Sequence, residues 1–289
     1  MIKLKNGHSF DHMVASGALA FSGRGWFWER PLVWLGLIKP ELFTVVIKTI
    51  TKEPIKGNLR WWKPWYCVRL IKGGAVNKVG LTNPGIDWWC KSVGPRHDFE
   101  KYPLVGSMFG TKEDLVRIAH SFNNFQFKAV EVNVSCPNHG DMSEEDAVIQ
   151  AVKAVAEVSV HPVIVKISVA QNYLAIAEGL KGVAEAISIN SVPWEKAFPE
   201  EEITPLQKLE NRVGGGGGGV SGRPAQYLNW KAVKELVEQD ALPVIGPSVM
   251  EFEDLEKLRN LGASAISYGA IHLRTPWKPT QLVLKDTTK

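Results

Sequence analysis

Three side chains that can bind a ligand or move a proton lie within the segment Asn133-Val-Ser-Cys-Pro-Asn138. The two carboxamides offer hydrogen-bond donors and acceptors, and the Cys136 thiol can take up a proton. The segment ends the run Ala129–Val134, whose composition is typical of a buried β-strand. Such a strand end indicates a functional site, although Asn, Ser and Pro also favour an ordinary strand-to-helix turn with a buried structural Cys.

Two lysines interrupt runs of β-branched residues, Lys166 within Pro162–Ser168 and Lys48 within Val45–Ile50. A Lys in such a strand must pair with a charge, point into a polar site, or extend its ammonium to the rim of the sheet. Neither Lys has a carboxylate immediately beside it in the chain, which favours an anionic ligand or cofactor.

Glycine is concentrated in the run Gly214–Gly219, which continues into Val220-Ser-Gly222. The run could be a flexible linker, or a place where bare backbone amides approach a phosphate or a flat ring. It is not a P-loop, because no Gly-Lys-Ser/Thr follows it.

Short apolar runs alternate with amphipathic stretches along the whole chain. The predicted strands are His12–Ala15, Phe43–Lys48, Leu104–Ser107, Ala129–Val134, Pro162–Ile167, Ala184–Asn190, Leu242–Ile245 and Ser264–Tyr268. The predicted helices are Lys112–Asn123, Ser143–Val158, Gln226–Glu238, Glu251–Leu261 and Pro276–Lys285. This alternation predicts a parallel sheet that is covered on both faces.

Eight strand–helix units predict an α/β fold of the (β/α)8 TIM-barrel type, formed by residues 1–289 as a single domain. The alternative is a doubly wound open sheet, in which unusual residues would gather at one switch point. Here polar residues or glycines follow nearly every strand, as expected for a barrel with its site at the C-terminal strand ends. Two long connections, Thr51–Val76 and Ser191–Ala225, are expected to be functional lids or insertions.

Composition excludes several classes of protein. The formal net charge of +4, spread without a Lys/Arg block, argues against nucleic-acid binding. The three cysteines form no CxxC pattern, which argues against a disulfide framework or metal site and favours a reducing, cytoplasmic location. The N-terminus lacks the apolar region of a signal peptide, and no apolar run is long enough to cross a membrane. The Trp-rich segment Trp26–Ile38 is interpreted as a packed surface helix, with a protein or membrane interface as the alternative.

The segment Asn133–Asn138 resembles the signature of dihydroorotate dehydrogenases, in the soluble class whose base is a Cys. Further matches follow in family order along nearly the whole chain. Ala15-Ser16-Gly17 is similar to the first flavin-contacting turn, and Lys48-Thr49 to the Lys–Ser/Thr pair after the second strand. Asn77-Lys-Val-Gly80-Leu81 is similar to the substrate loop, and Asn190-Ser191 to the substrate Asn–Ser/Thr pair. Gly218-Gly219-Val-Ser-Gly222 resembles the family's Gly-Gly-x-Ser-Gly element.

The resemblance implies an FMN-dependent oxidation of dihydroorotate to orotate, for pyrimidine biosynthesis. Cys136 would be the general base at C5, and a hydride would pass from C6 to flavin N5. The implied substrate-binding residues are Lys48, Asn77, Gly80, Leu81, Asn133, Asn138, Asn190 and Ser191. The implied cofactor-binding residues are Ala15, Ser16, Gly17, Lys48, Thr49, Asn133, Lys166, Gly218, Gly219, Gly246, Ser248, Gly269 and Ala270. No metal is expected.

One region departs from the family pattern. Where the family has Gly-x-Gly-Gly after strand seven, this chain has Gly246-Pro-Ser-Val249, and after strand eight a hydroxyl is replaced in Gly269-Ala270. Because proline has no N–H and two glycines are missing, we expect a weaker hold on the FMN phosphate, unless Ser248 compensates. The alternatives are a flavin enzyme for another pyrimidine or an enone, and a flavin-free degenerate homologue. The resemblance also implies a homodimer and an iron–sulfur flavoprotein as a possible electron-transfer subunit.

Overall fold

Eight parallel strands close into a barrel in the computed structural model of the chain, which describes residues 1–60, 62–135, 145–206 and 217–288. The strands are β1 Ile2–Lys3, β2 Ser9–Phe10, β3 His12–Val14, β4 Thr44–Val46, β5 Val68–Ile71, β6 Gly74–Asn77, β7 Leu104–Met108, β8 Ala129–Asn133, β9 Val163–Ile167, β10 Ala186–Ile189, β11 Val192–Pro193, β12 Gly219–Gly222, β13 Val244–Gly246 and β14 Ala265–Tyr268. The helices are α1 Arg30–Trp34, α2 Ile86–Ser92, α3 Lys112–Phe122, α4 Glu145–Val158, α5 Tyr173–Gly179, α6 Trp194–Ala197, α7 Arg223–Gln239, α8 Glu253–Asn260, α9 Ala270–Arg274 and α10 Lys278–Thr287.

The barrel strands follow one another around the ring in chain order. They are β3, β4, β7, β8, β9, β10, β13 and β14, and β14 pairs with β3 to close the ring. Each of the eight predicted strands coincides with one of them, so the predicted (β/α)8 barrel is confirmed and the open sheet is excluded. The predicted helices also form, and Ser143, where one was expected to begin, lies outside the described residues.

Alternate residues of each strand face opposite sides of the barrel wall. One set packs outward against the helices in the main core, as Val130 and Val132 of β8 do. The other set points into the barrel, where each strand supplies one residue to an apolar layer capped by Ile2, Leu4 and Phe10. That layer consists of Met13, Val46, Val105, Ala129, Ile164, Ala186, Ile245 and Ala265.

The next inward layer, two residues further along the chain at each strand, is mostly polar. It consists of Ala15, Lys48, Ser107, Glu131, Lys166, Ser188, Pro247 and Ser267. Because parallel strands all run in the same direction, this layer lies at their C-terminal ends, where barrel enzymes carry their sites. The change from an apolar to a polar layer therefore marks the floor of the candidate site.

The two long connections meet in a second sheet, with the strand order β11-β12-β6-β5. The connection after β4 supplies β5 and β6, and the connection after β10 supplies β11 and β12. Val76, Trp194, Leu206 and Val220 form a small apolar core for this sheet. The two predicted insertions are therefore one antiparallel unit, which we call the lid sheet.

The Trp-rich segment is helical only in α1, and none of the residues of α1 is buried. Trp34 and Leu35 are more than 70% exposed. Trp26 stacks on Trp28, and its indole N–H donates to the carbonyl of Gly17 at 3.0 Å. Among the described residues, no helix combines the length and the apolarity needed to span a bilayer.

Candidate active site

Thr49 is the branch point of a hydrogen-bonded chain across the polar layer. Its hydroxyl oxygen lies 2.9 Å from the hydroxyl oxygen of Ser16 and 2.9 Å from that of Ser107. The Asn133 carboxamide approaches the same Thr49 oxygen at 3.4 Å. Ser16 follows β3, Thr49 follows β4, and Ser107 and Asn133 lie in β7 and β8, so one network joins four neighbouring strands.

Glu131 extends this network to the other side of the barrel. It is 1% exposed, and its two carboxylate oxygens accept hydrogen bonds from Ser107 at 3.0 Å and from Ser188 at 3.2 Å. The ammonium of Lys166 lies 3.8 Å from the nearer oxygen. This separation is that of an ion pair and not of a full hydrogen bond, so Glu131 itself does not take up the donors of Lys166.

Two carboxamides that were predicted to bind substrate are linked through one hydroxyl. The Asn133 side-chain oxygen accepts from the Ser135 hydroxyl at 2.5 Å, and the Ser135 oxygen accepts from the Asn190 amide at 2.5 Å. Asn133 ends β8 and Asn190 follows β10, so the link joins the C-terminal ends of two strands on either side of β9. The Asn133 side-chain oxygen and the Asn190 side-chain N–H are thus both engaged with Ser135.

Lys48 is a half-buried cation beside this network. Burial lowers the pKa of its ammonium to about 8, the neighbouring charge of Lys166 lowers it further, and the Cys67 side chain opposes the shift. Burial also raises the pKa of the Cys67 thiol to about 11. Two ammonium groups in a poorly solvated site attract an anion, because a bound negative charge offsets the cost of their desolvation.

The lid sheet brings Asn77 to this end of the barrel. Its side-chain amide donates to the carbonyl of Gly219 at 3.3 Å, and the two residues are paired in the sheet. Gly218 has a φ of +85°, and a Cβ there would lie 2.7 Å from the carbonyl oxygen of Asn77. A Cβ at Gly219 would lie 2.3 Å from the Ser191 hydroxyl oxygen. These glycines therefore permit a close approach between the two halves of the lid sheet.

Asn83 fixes the turn after Asn77, although the sequence did not single it out. Its side-chain oxygen accepts from the backbone N–H groups of Thr51 and Gly85, at 3.2 and 2.9 Å. Its amide donates to the Thr51 hydroxyl at 2.8 Å and to the Leu81 carbonyl at 2.7 Å. Leu81 has a left-handed backbone with a φ of 54°, and Gly80 packs against the 57–58 turn. The predicted substrate loop is thus held to the end of β4.

The loop after β13 offers few groups for a phosphate. Pro247 has no N–H, and the N–H groups of Met250 and Glu251 donate to the Asp254 carboxylate at 2.9 and 3.0 Å. Ser248 has a φ of 68°, and its hydroxyl oxygen accepts from the Asn229 amide at 2.9 Å, so the hydroxyl proton can still be donated. Val249 is buried in the main core.

Another side of the candidate site lies where the first barrel strand, β3, pairs with the last, β14. The Ala15 N–H donates to the Tyr268 carbonyl at 2.8 Å, and a Cβ at Gly269 would lie 3.5 Å from that of Ala15. The short helix α9 begins directly after Gly269, at Ala270. Barrel enzymes commonly hold phosphate groups between the loops after strands seven and eight and such a short helix. The predicted residues Gly246, Ser248, Gly269 and Ala270 therefore lie at or just after the C-terminal ends of the neighbouring strands β13 and β14.

The sequence left open whether Lys166 pairs with a charge. The structure supplies a partner on the neighbouring strand, since the Glu131 carboxylate lies 3.8 Å from the Lys166 ammonium. Glu131, Ser107 and Ser188 were missed because a parallel barrel strand was assumed to be apolar on both faces. The signal was present, since Glu131 and Ser188 each precede a predicted site Asn by two residues and so share its face. Cys136 and Asn138 lie outside the described residues, as does Gly214–Gly216.

A closed parallel barrel with its polar side chains at the C-terminal strand ends defines an enzyme of the TIM-barrel class. Within that class, the family model for dihydroorotate dehydrogenase matches residues 34–284, and the chain belongs to this family of oxidoreductases. The resemblance carried by the sequence motifs is therefore confirmed.

Curated relatives support the same assignment. The catalytic subunit of dihydroorotate dehydrogenase B (NAD(+)) from Caldicellulosiruptor saccharolyticus is 29% identical over 248 residues, which cover 82% of this chain and 78% of that protein. The corresponding subunit from Geobacter metallireducens is 28% identical, over 95% of this chain and 86% of its own. Dihydroorotate dehydrogenase A (fumarate) from Lactobacillus helveticus is 28% identical, over 80% of this chain and 76% of that protein.

Proposed function

We propose that the chain binds FMN and oxidises dihydroorotate to orotate. The observation that carries the proposal is the convergence of Lys48, Lys166, Asn133 and Asn190 at the C-terminal end of a barrel of this family. Bound FMN would supply the two-electron acceptor for a hydride leaving C6 of the substrate. The donor set fits such a group, since the buried ammonium of Lys166 suits an anionic reduced ring, and the Ser248 hydroxyl, whose proton is not used by Asn229, could donate to a phosphate.

The chain's own residues would bind the substrate, accept its proton and exclude water. Asn77, Asn133, Asn138 and Asn190 would read the N–H and C=O edges of the pyrimidine, and Lys48 would attract its carboxylate. Cys136 would accept the proton from C5. The lid sheet, which carries Asn77, would exclude water from the reacting atoms.

Stopped-flow reduction of the bound flavin by dihydroorotate without oxygen tests this proposal. Cys136→Ala should retain the flavin yet slow its reduction by about 10²-fold or more, the usual scale for a positioned base. Cys136→Ser should keep part of the rate, with its optimum moved to higher pH, because a hydroxyl is a weaker acid than a thiol. A Cys136→Ala protein that is reduced at the wild-type rate would assign the base elsewhere.

A flavin-free homologue is the second candidate. It is favoured by the loop after β13, in which Pro247 offers no donor and Asp254 occupies two N–H groups. The visible spectrum of the purified protein separates the two candidates, because bound flavin is yellow and apoprotein is colourless. Protein that stays colourless after incubation with FMN would support the second candidate.

The electron acceptor is proposed from the relatives. Some of them are named as NAD(+)-linked catalytic subunits and others as fumarate-linked enzymes. We propose an iron–sulfur flavoprotein subunit as the physiological acceptor, because Gly218-Gly-Val-Ser-Gly222 is nearer to the form found in such enzymes. Turnover assays with fumarate, a quinone and an artificial dye should then give a high rate with the dye alone.

A further inference from the structure

We propose that Glu131 is a positioning residue that holds the ammonium of Lys166 and offsets its charge, and that it thereby sets the midpoint potential of the bound flavin. The inference rests on the proposed function, because it concerns the flavin that the chain is proposed to bind. It assigns a role to a carboxylate at the centre of the barrel.

Glu131 is buried, and polar groups compensate its carboxylate there. The side chain is 1% exposed, and each carboxylate oxygen has its own hydroxyl donor, from Ser107 and from Ser188. An isolated carboxylate in such a place would cost several kcal/mol, so its compensation must come from these donors and from Lys166. The carboxylate therefore has a fixed position from which it acts on one ammonium.

Stability alone does not account for this pair. The layer directly below fills the same barrel with apolar side chains, including Ala129 two residues before Glu131 and Ile164 two residues before Lys166. Replacement of a buried ion pair by apolar side chains of similar volume is often neutral or stabilising. A charged pair at the floor of the site instead of a further apolar layer points to a role in the site.

The charges that face Lys166 determine the sign of the effect. The Glu131 carboxylate on β8 lies 3.8 Å from the Lys166 ammonium. Lys48, which follows β4, carries a second ammonium, and its charge interacts with that of Lys166. Bound flavin would become an anion on reduction, the ammonium groups of Lys48 and Lys166 would stabilise it, and the Glu131 carboxylate would weaken their combined field. Glu131 therefore keeps the potential of the bound flavin lower than the two lysines alone would make it.

Potentiometric titration of the FMN-loaded protein with redox dyes tests the inference. Glu131→Gln, which keeps the size and the hydrogen-bonding oxygen, should raise the two-electron midpoint potential by about 30 mV or more, the equivalent of a tenfold change in the equilibrium constant. In a Lys166→Met background the same Glu131→Gln change should have a much smaller effect, because the ammonium that Glu131 positions and offsets is absent.

Matched variants separate this role from a structural one. Asp286→Asn makes the same carboxylate-to-carboxamide change at another largely buried residue. Asp286 lies on α10 and pairs with His12 at the start of β3. This variant should leave the midpoint potential of the flavin unchanged. If Glu131→Gln does not fold, Ser188→Ala removes one donor and leaves more of the carboxylate's negative charge uncompensated, so it should shift the potential in the opposite direction, downwards, and by less. Wild-type protein that takes up no flavin would overturn both proposals. Flavin-loaded Glu131→Gln with the wild-type potential, or with an equal shift in the Lys166→Met background, would overturn this one alone.

Discussion

At the scale of single residues, the site is built from groups that cost stability. Lys48 is a cation whose pKa burial lowers to about 8, so at neutral pH the folded protein keeps a charge that its surroundings disfavour. Active sites commonly hold such groups because a ligand supplies the missing compensation. The residues that bind ligand should therefore stabilise the flavin-free protein when they are replaced by apolar ones.

Lys48→Met tests this expectation. At pH 7 the flavin-free variant should melt at a higher temperature than flavin-free wild type, because the buried charge is gone. Because the pKa of Lys48 is lowered in the folded state, the buried charge destabilises wild type fully below about pH 8. This destabilisation decreases as the pH rises towards the pKa of an unfolded Lys, near 10.4. The difference in melting temperature between Lys48→Met and wild type should therefore narrow over that range. Calorimetry across this pH range, with the exposed Lys72→Met as control, measures the gap. A Lys48→Met protein no more stable than wild type at pH 7 would contradict the reading.

At the scale of elements, the eight strands could be predicted because short β-branched runs alternate regularly with amphipathic stretches. The side of each strand that carries a site residue was harder to predict, since β8 reads as Ala-Val-Glu-Val-Asn and is buried on both faces. The two-residue spacing places Glu131 and Asn133 on one face, but only the closed barrel shows that this face points inward. The pairing of the lid sheet was not predictable either, because β6 and β12 lie far apart in sequence and meet through backbone hydrogen bonds.

Asn83→Ala tests how the turn after β6 positions Asn77. Loss of its four hydrogen bonds to Thr51, Leu81 and Gly85 should release the turn and weaken substrate binding about tenfold, while flavin content stays the same. Orotate binding, followed through the visible flavin spectrum, gives the dissociation constant. Asn172→Ala, which removes the exposed N-cap of α5, is the control for a general loss of stability of about 1 kcal/mol. Equal orotate affinity in Asn83→Ala and in the control would contradict a positioning role.

Ser248→Gly tests the loop after β13. A left-handed φ of 68° suits Gly better than Ser, and loss of the side chain lets the amides of the loop approach a phosphate more closely. Tighter FMN binding is expected if amides dominate the contact, and equal or weaker binding if the Ser248 hydroxyl already donates to the phosphate. Replacing Val249 by Gly as well should destabilise the protein and not tighten FMN binding, because Val249 is a core residue and loss of its side chain leaves a cavity. Equilibrium dialysis against FMN and against riboflavin isolates the contribution of the phosphate.

At the scale of the whole molecule, the two ends of the chain are joined on the outside of the ring. His12 in β3 contacts the Asp286 carboxylate of α10 at 3.1 Å through one ring nitrogen and the Tyr268 hydroxyl at 3.0 Å through the other. Arg259 of α8 also pairs with Asp286. The last helix is therefore tied to the first and last barrel strands, where the ring closes.

Asp286→Asn should show how much this closure contributes. A charge-assisted network of this kind is worth about 1–3 kcal/mol, and the partly exposed Arg259 can be hydrated once its partner is lost. Hydrogen bonding from Arg259 lowers the pKa of Asp286, so its contribution is fully present above the unfolded value of 3.8 and is lost as the pH falls through the folded value. Urea unfolding should therefore show wild type to be the more stable protein at pH 7, by a margin that shrinks below about pH 4. Replacement of the exposed Glu202 by Gln should leave stability within about 0.5 kcal/mol of wild type at pH 7. A margin that stayed constant down to pH 3 would mean that the Asp286 side chain acts through its packing and not through its charge.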